Sequence, residues 1–266
     1  MPSFVYLNGQ ICDKVDASIK AVSAGLMYGH GVFTTVRVSN SQPFLWVKHW
    51  KRIVANADSI GLDLTAYDEE TVKHSLSSTL LASGIEKGRA RITFFEEWPG
   101  ELWAEGSRRS TNLLITVALP RFVTKSFRLT ISCFRLNSAS PLAGIKSCNY
   151  LEKILALGEA KARGFNEAIQ LNERGHVASA CTANVFWLRD GQLFTPSLAT
   201  GCLAGTTREF VLENFECGEL AVGIEDLKTA DAIFLTSAGL DVVEVAQFDH
   251  RDLPATRHPI TELLDD

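Results

Sequence analysis

The spacing of apolar residues changes several times along the chain, and each change marks an element. Phe4 to Leu7 reads as a strand, and Asn8-Gly9 is a strong hairpin signal. Ala24 to Gly31 is punctuated by glycines, and Val32 to Val38 reads as the next strand. From Trp46 the period becomes helical. Trp46, Trp50, Ile53, Val54, Ala57 and Ile60 predict one inward face, stopped by Gly61. A second helix is predicted over Asp68 to Ser83, with Val72, Leu76, Leu80 and Leu81 inward and Gly84 as its stop. Arg89 to Phe95 and Asn112 to Leu119 are strand-like. The charged segment between them, Glu96 to Ser110, holds Pro99 and Gly100 and reads as a mobile loop.

Pro120 to Thr124 is the best linker, so the pattern predicts subdomains at residues 1–119 and 125–266. In the second, Phe127 to Phe134 reads as a strand, followed by a loop that carries Lys146. Ser147 to Arg163 reads as a helix with Leu151, Ile154, Leu155 and Gly158 on overlapping faces and Gly164 as its stop. Short strands are predicted at Glu167 to Leu171, Asn184 to Leu188 and Gln192 to Thr195. Gly201 to Thr207 is a small-residue loop leading into a helix from about Arg208 to Phe215. Ala232 to Thr236 and Val242 to Val245 close the sheet, and the tail after Pro254 reads as a terminal helix. No internal repeat is present.

Composition narrows the classes. The 266 residues are 46% hydrophobic and 21% charged, enough for one large domain or two small ones. A net charge of −5 argues against nucleic acid as the main partner. Cys12, Cys133, Cys148, Cys181, Cys202 and Cys217 are scattered without a CxxC pair, which disfavours a metal site or a disulfide framework. No apolar run approaches about 18 residues, so no spanning helix is expected. With no basic, apolar N-terminal stretch either, the chain reads as a cytoplasmic protein that binds neither membrane nor nucleic acid.

Four places could carry chemistry. Lys146 follows Leu142, Ala143, Gly144 and Ile145. A lysine desolvated at such a turn can lose its proton near neutral pH and attack a carbonyl, whereas the bland alternative is an exposed lysine at a helix start. Gly205, Thr206 and Thr207 could cradle an anion at a helix N-terminus, or supply only an ordinary threonine cap. Arg52 lies beside inward residues, suited to bidentate phosphate binding or to snorkelling. Thr236, in Thr236 to Leu240, ends a strand and could offer an anion contact or simply a turn. His30 and His49 have no second histidine at ligand spacing and read as structural.

Together these segments resemble the class IV aminotransferases, the fold-type IV pyridoxal phosphate (PLP) enzymes, over nearly the whole chain. MYGHGVFTTVRV is similar to the family's YGDGxFET-type segment, and HWKRI to its H-x-x-R-L segment. GIKSCNYLEKILALGEAKARGFNEAIQLNERGHVASACTANVFW resembles the family's run from the lysine to the Asn-x-Phe strand. GTTR resembles its phosphate loop. The resemblance implies an α/β chain with mixed α+β sheets and two subdomains, of the D-amino acid aminotransferase-like kind. It implies PLP in the cleft between the subdomains and a homodimer in which the Glu96 to Ser110 segment nears the partner's site. It assigns Lys146 as the PLP-linked lysine and Arg52, Thr206, Thr207 and Thr236 as phosphate contacts. Tyr28, Tyr150 and Arg91 are candidates for lining the substrate.

Within the family, LAGIKSCNYLEKIL and the Phe-Thr-Thr-x-Arg form look most like the 4-amino-4-deoxychorismate lyases, which release 4-aminobenzoate and pyruvate in folate biosynthesis. Two positions depart from the family pattern. His30 replaces an aspartate. Ser179 stands five residues before Asn184, where the family carries a glutamate that pairs with the ring nitrogen. A carboxylate keeps that nitrogen protonated, whereas serine offers a hydrogen bond without an ion pair. A carbanionic intermediate would then be less stabilised, favouring elimination over transamination. A class IV aminotransferase acting on branched-chain or D-amino acids is the alternative, and a drifted or non-catalytic PLP-binding paralogue is the second.

Overall fold

The computed structural model describes residues 3–97 and 109–264. They divide into two compact units, Met1–Arg121 with Ile145–Asn149, and Phe122–Gly144 with Tyr150–Asp266. The loop expected at Glu96 to Ser110 lies largely outside the described residues.

The first unit contains β1 (Phe4–Leu7), β2 (Gln10–Asp13), α1 (Ala24–Tyr28), β3 (Gly31–Ser39), β4 (Gln42–Pro43), α2 (Trp46–Ser59), α3 (Glu69–Ser83), β5 (Gly88–Glu97) and β6 (Ser110–Ala118). Its six strands form one antiparallel sheet in the order β2-β1-β6-β5-β3-β4. Asn8 and Gly9 take positive φ at the β1–β2 turn, as the hairpin requires. Asp68 caps α3 by accepting from the Thr71 N–H, and Gly84 ends it in the left-handed conformation. Val32, Val36, Ile92 and Ile115 of the sheet pack with Trp46 and Ile53 of α2 and Val72, Leu76 and Leu80 of α3. Two predicted inward residues face out instead. Val54 is exposed, and Leu81 is 85% exposed, because each lies just off its helix's packed stripe.

The second unit runs β7 (Arg128–Ile131), α4 (Leu151–Ala162), β8 (Glu167–Leu171), β9 (Val177–Ala180), β10 (Asn184–Arg189), β11 (Gln192–Pro196), α5 (Thr206–Asn214), β12 (Cys217–Leu220), α6 (Glu225–Lys228), β13 (Ala232–Ser237), β14 (Asp241–Glu244), β15 (Gln247–Phe248) and β16 (Arg251–Asp252). Two mixed five-stranded sheets result, ordered β12-β11-β10-β13-β14 and β16-β15-β7-β8-β9. Strand alternation builds the layers. Val185, Trp187, Ile233 and Leu235 join Leu129, Ile169 and Val177 in one core. Phe186, Ala232 and Phe234, on the opposite face of their strands, pack with Val211 of α5. Ala168 and Cys181 pack with Ala156 and Ala160 of α4. The tail expected to be a helix forms a short 3-10 segment, Pro259–Glu262.

The Lys146 segment departs from expectation in two ways. It belongs to the first unit, not to the C-terminal subdomain, because its backbone is tied to β3. Ser147 bridges Val32, the Phe33 N–H donates to Lys146 O at 2.9 Å, and the Cys148 N–H donates to Gly31 O at 2.8 Å. Those bonds use the groups a helix would need, so α4 starts at Leu151 and not at Ser147.

Candidate functional site

In the first unit the candidate residues gather on β3. The helical repeat of α2 puts His49, Arg52 and Asn56 at i, i+3 and i+7, on one side of the helix. An Arg52 Nη donates to Thr34 Oγ1 at 2.8 Å, and Thr34 Oγ1 lies 2.7 Å from His49 Nδ1. Arginine can only donate, so the threonine oxygen accepts from it and keeps its own proton for the imidazole. Burial holds the His49 pKa well below the usual value, with help from the Arg52 and Lys146 charges. His49 is therefore a neutral ring at neutral pH. Asn56 Oδ1 accepts from the Lys146 backbone N–H at 2.8 Å. The Lys146 Nζ lies 4.5 Å from the Phe33 ring centroid, and the Arg91 guanidinium lies 3.6 Å from the same centroid. Phe33 and Thr34, adjacent on one strand, thus meet Lys146, Arg91 and Arg52. Tyr28 is the half-exposed last residue of α1.

His30 bridges elements in the same unit. Its Nδ1 is 2.9 Å from Glu96 Oε2, and its Nε2 is 2.9 Å from Ile60 O. It joins the end of β5 to the end of α2.

In the second unit Asn184 organises the candidates. It opens β10 opposite Thr236 of β13. Its Nδ2 donates to Leu203 O at 2.8 Å. A Cβ on Gly205 would collide with its Oδ1, so only glycine fits the turn before α5. Alternation along β13 puts Thr236 on the same face as Phe234, which packs beneath α5. Gly205 is the N-cap of α5 and supplies no capping side chain, so the helix begins at Thr206, earlier than expected. Thr206 and Thr207 are buried in its first turn. Arg208 donates to Pro196 O at 2.9 Å and pairs with Glu219. It ties α5 to β11 and β12.

Ser179 lies on β9, opposite Gln170 of β8. Ser179 Oγ and Thr236 Oγ1 are buried and have no hydrogen-bond partner among the described residues. Leaving a buried hydroxyl unmet costs about 1–3 kcal/mol. Tyr150 precedes α4, with its hydroxyl 3.5 Å from Cys181 O. Among the described residues, no group of three or more potential metal ligands is found. No helix among them is long and apolar enough to cross a membrane.

Residues 31–248 match the profile of amino-transferase class IV, which is most of the chain. The chain belongs to the class IV aminotransferase family. Its relatives include the aminodeoxychorismate lyase of Bacillus subtilis, 28% identical over 271 residues, covering 92% of this chain and 86% of that one. The branched-chain aminotransferase of Thermoproteus uzoniensis, solved with norvaline, is similar in structure with a TM-score of 0.87. It is 29% identical and covers 97% of this chain and 91% of its own. A T.th. branched-chain amino acid aminotransferase, solved with pyridoxamine 5'-phosphate, has the same fold with a TM-score of 0.88. It is 22% identical, over 99% of this chain and 92% of its own.

The sequence pattern left out Thr34 and Asn56, marked His49 only as structural, and used Asn184 only as the landmark of the Asn-x-Phe strand. His49 and Asn56 carry a usable signal, since both share the helical face of Arg52. Thr34's link to Arg52 and Asn184's pairing with Thr236 carry none, because they depend on tertiary contacts.

Proposed function

We propose that this chain is a PLP-dependent lyase that converts 4-amino-4-deoxychorismate to 4-aminobenzoate and pyruvate. The observation that carries the choice is Ser179: a buried, neutral side chain whose hydroxyl has no partner among the described residues, at the position where the family resemblance expects the group that meets the ring nitrogen. The residues present suit the cofactor. Thr236 Oγ1 is a second buried hydroxyl with no partner among the described residues, and Gly205, the N-cap of α5, has no side chain with which to cap the helix. Thr206, Thr207, Thr236 and Arg52 would hold the phosphate, Lys146 would anchor the aldehyde, and Ser179 would meet the ring nitrogen. When bound, PLP withdraws the electron pair left at a substrate's amine-bearing carbon.

This chain's residues do the rest. The Lys146 Nζ takes the proton from that carbon and returns one to the departing enol-pyruvate. Neutral His49 holds Thr34, and Thr34 holds Arg52. Arg91, over the ring beside Lys146, is suited to a substrate carboxylate. Tyr28 and Tyr150 would line the substrate. Loss of pyruvate makes the ring aromatic, so product formation does not depend on a strongly stabilised carbanion.

Incubation with 4-amino-4-deoxychorismate should yield 4-aminobenzoate and pyruvate in equal amounts, with no pyridoxamine form of the cofactor. Ser179→Glu should raise transamination relative to elimination. A second proposal, an aminotransferase for branched-chain amino acids, draws on the branched-chain aminotransferases among the relatives. Pyridoxamine build-up with amino donors and no 4-aminobenzoate would select it. Colourless protein without a borohydride-reducible adduct at Lys146 would leave only a non-catalytic role.

A further inference from the structure

The second unit carries a charge behind Ser179 that the proposed reaction does not use. Lys153, in the first turn of α4, reaches β8, where its Nζ lies 3.3 Å from Gln170 Oε1. Gln170 pairs directly with Ser179, so both side chains rise from one face of the β8–β9 pair. Ala168, two residues before Gln170, shares that face and packs against Ala156 and Ala160 of α4. Lysine only donates, so Gln170 is fixed with its oxygen toward Lys153 and its NH₂ group turned away. An ammonium, an oriented amide and an unpartnered hydroxyl therefore follow one another from α4 to β9.

Other groups face Lys153. Burial lowers its pKa overall, and the Glu167 and Glu152 carboxylates oppose that by helping it keep its proton. Glu167 itself is engaged by the backbone N–H groups of Cys181 at 3.0 Å and Thr182 at 3.1 Å. The Tyr150 ring centroid is 5.9 Å from Nζ.

We infer that Lys153 is a positioning residue whose ammonium, acting past Gln170, keeps the ring nitrogen of the bound cofactor unprotonated, so that Ser179 donates its hydroxyl proton to it. This rests on the proposed placement of Ser179 at that nitrogen. Two cations in a buried region oppose each other, and an alkylamine holds a proton far better than a pyridine. A serine hydroxyl can donate or accept, and the neighbouring cation decides which. The site then disfavours storing negative charge in the ring and suits a reaction in which a leaving group carries the electron pair away.

The test is NMR of holoprotein reconstituted with PLP isotopically labelled at the ring nitrogen, followed across the neutral pH range. Wild type and Lys153→Arg should show an unprotonated nitrogen throughout. Lys153→Met should move the nitrogen's titration upward by about one pH unit or more, a tenfold easier protonation. Lys153→Gln, which keeps a hydrogen bond to Gln170 without the charge, should do the same and serves if the methionine variant does not fold. A protonated nitrogen in wild type overturns the inference. So does a signal that moves in Ser179→Glu but not in the neutral Lys153 variants, and that result leaves the cofactor placement standing. A signal unmoved by every variant, with the cofactor still reducible onto Lys146, removes Ser179 from the ring nitrogen and the inference with it.

Discussion

At the scale of single residues, the two unpartnered hydroxyls separate folding from binding. Thr236→Val removes a buried oxygen with no partner among the described residues and keeps the side-chain shape. The cofactor-free protein should gain about 1 kcal/mol in urea unfolding, while its affinity for PLP falls. Such a trade of stability for function is common at binding sites. His49 gives a pH signature. Its folded pKa lies well below its unfolded value, near 6.5, so the unfolded chain takes up a proton first as pH falls. The associated stability is fully present above about pH 6.5 and is lost below it, at up to about 1.4 kcal/mol per pH unit. His49→Gln should flatten that part of the stability profile, measured by denaturant unfolding at neutral and mildly acidic pH.

At the scale of elements, the α5 turn is the most constrained piece. Gly205→Ala would drive a methyl into the Asn184 side chain, which also holds Leu203 O. Its φ of −72° is open to alanine, so the penalty is steric. The variant should lose about 1–3 kcal/mol through this overpacking and bind PLP at least about tenfold more weakly, as read by cofactor titration. Strands β1, β3, β5 and β6 of the first unit were legible because each is rich in β-branched or aromatic residues, unlike the short β2 and β4. The β9 strand was not: Val177–Ala180 is four small, wholly buried residues with no alternation to see. Nor was the packing of α4, where Leu151, Ile154 and Leu155 are exposed and Ala156 and Ala160 are buried. The helix docks through small residues that allow close approach to the sheet, whereas a sequence pattern ranks large apolar residues as core.

At the scale of the whole molecule, the family and its fold were readable from a few motifs, chiefly the segments around Arg52, Lys146 and Gly205. The unit to which Lys146 belongs was not, since membership depends on strand contacts made by residues more than a hundred positions apart in sequence. A ligand held only by the folded state stabilises the whole cooperative structure. PLP at a hundred times its Kd should therefore add about 2.7 kcal/mol to unfolding free energy. Lys146→Ala should lose most of that gain, as read by thermal melts with and without cofactor.

The backbone pairing of Lys146 with β3 has one more consequence. With the Phe33 N–H on Lys146 O and the Lys146 N–H on Asn56, the main chain there is pinned, and motion is left to the four-carbon side chain. Amide hydrogens at Phe33, Lys146 and Cys148 should thus exchange with deuterated solvent slowly, and equally slowly in Lys146→Ala. The amine would swing between partners on a hinge of methylenes while its peptide groups stay as still as the sheet beside them.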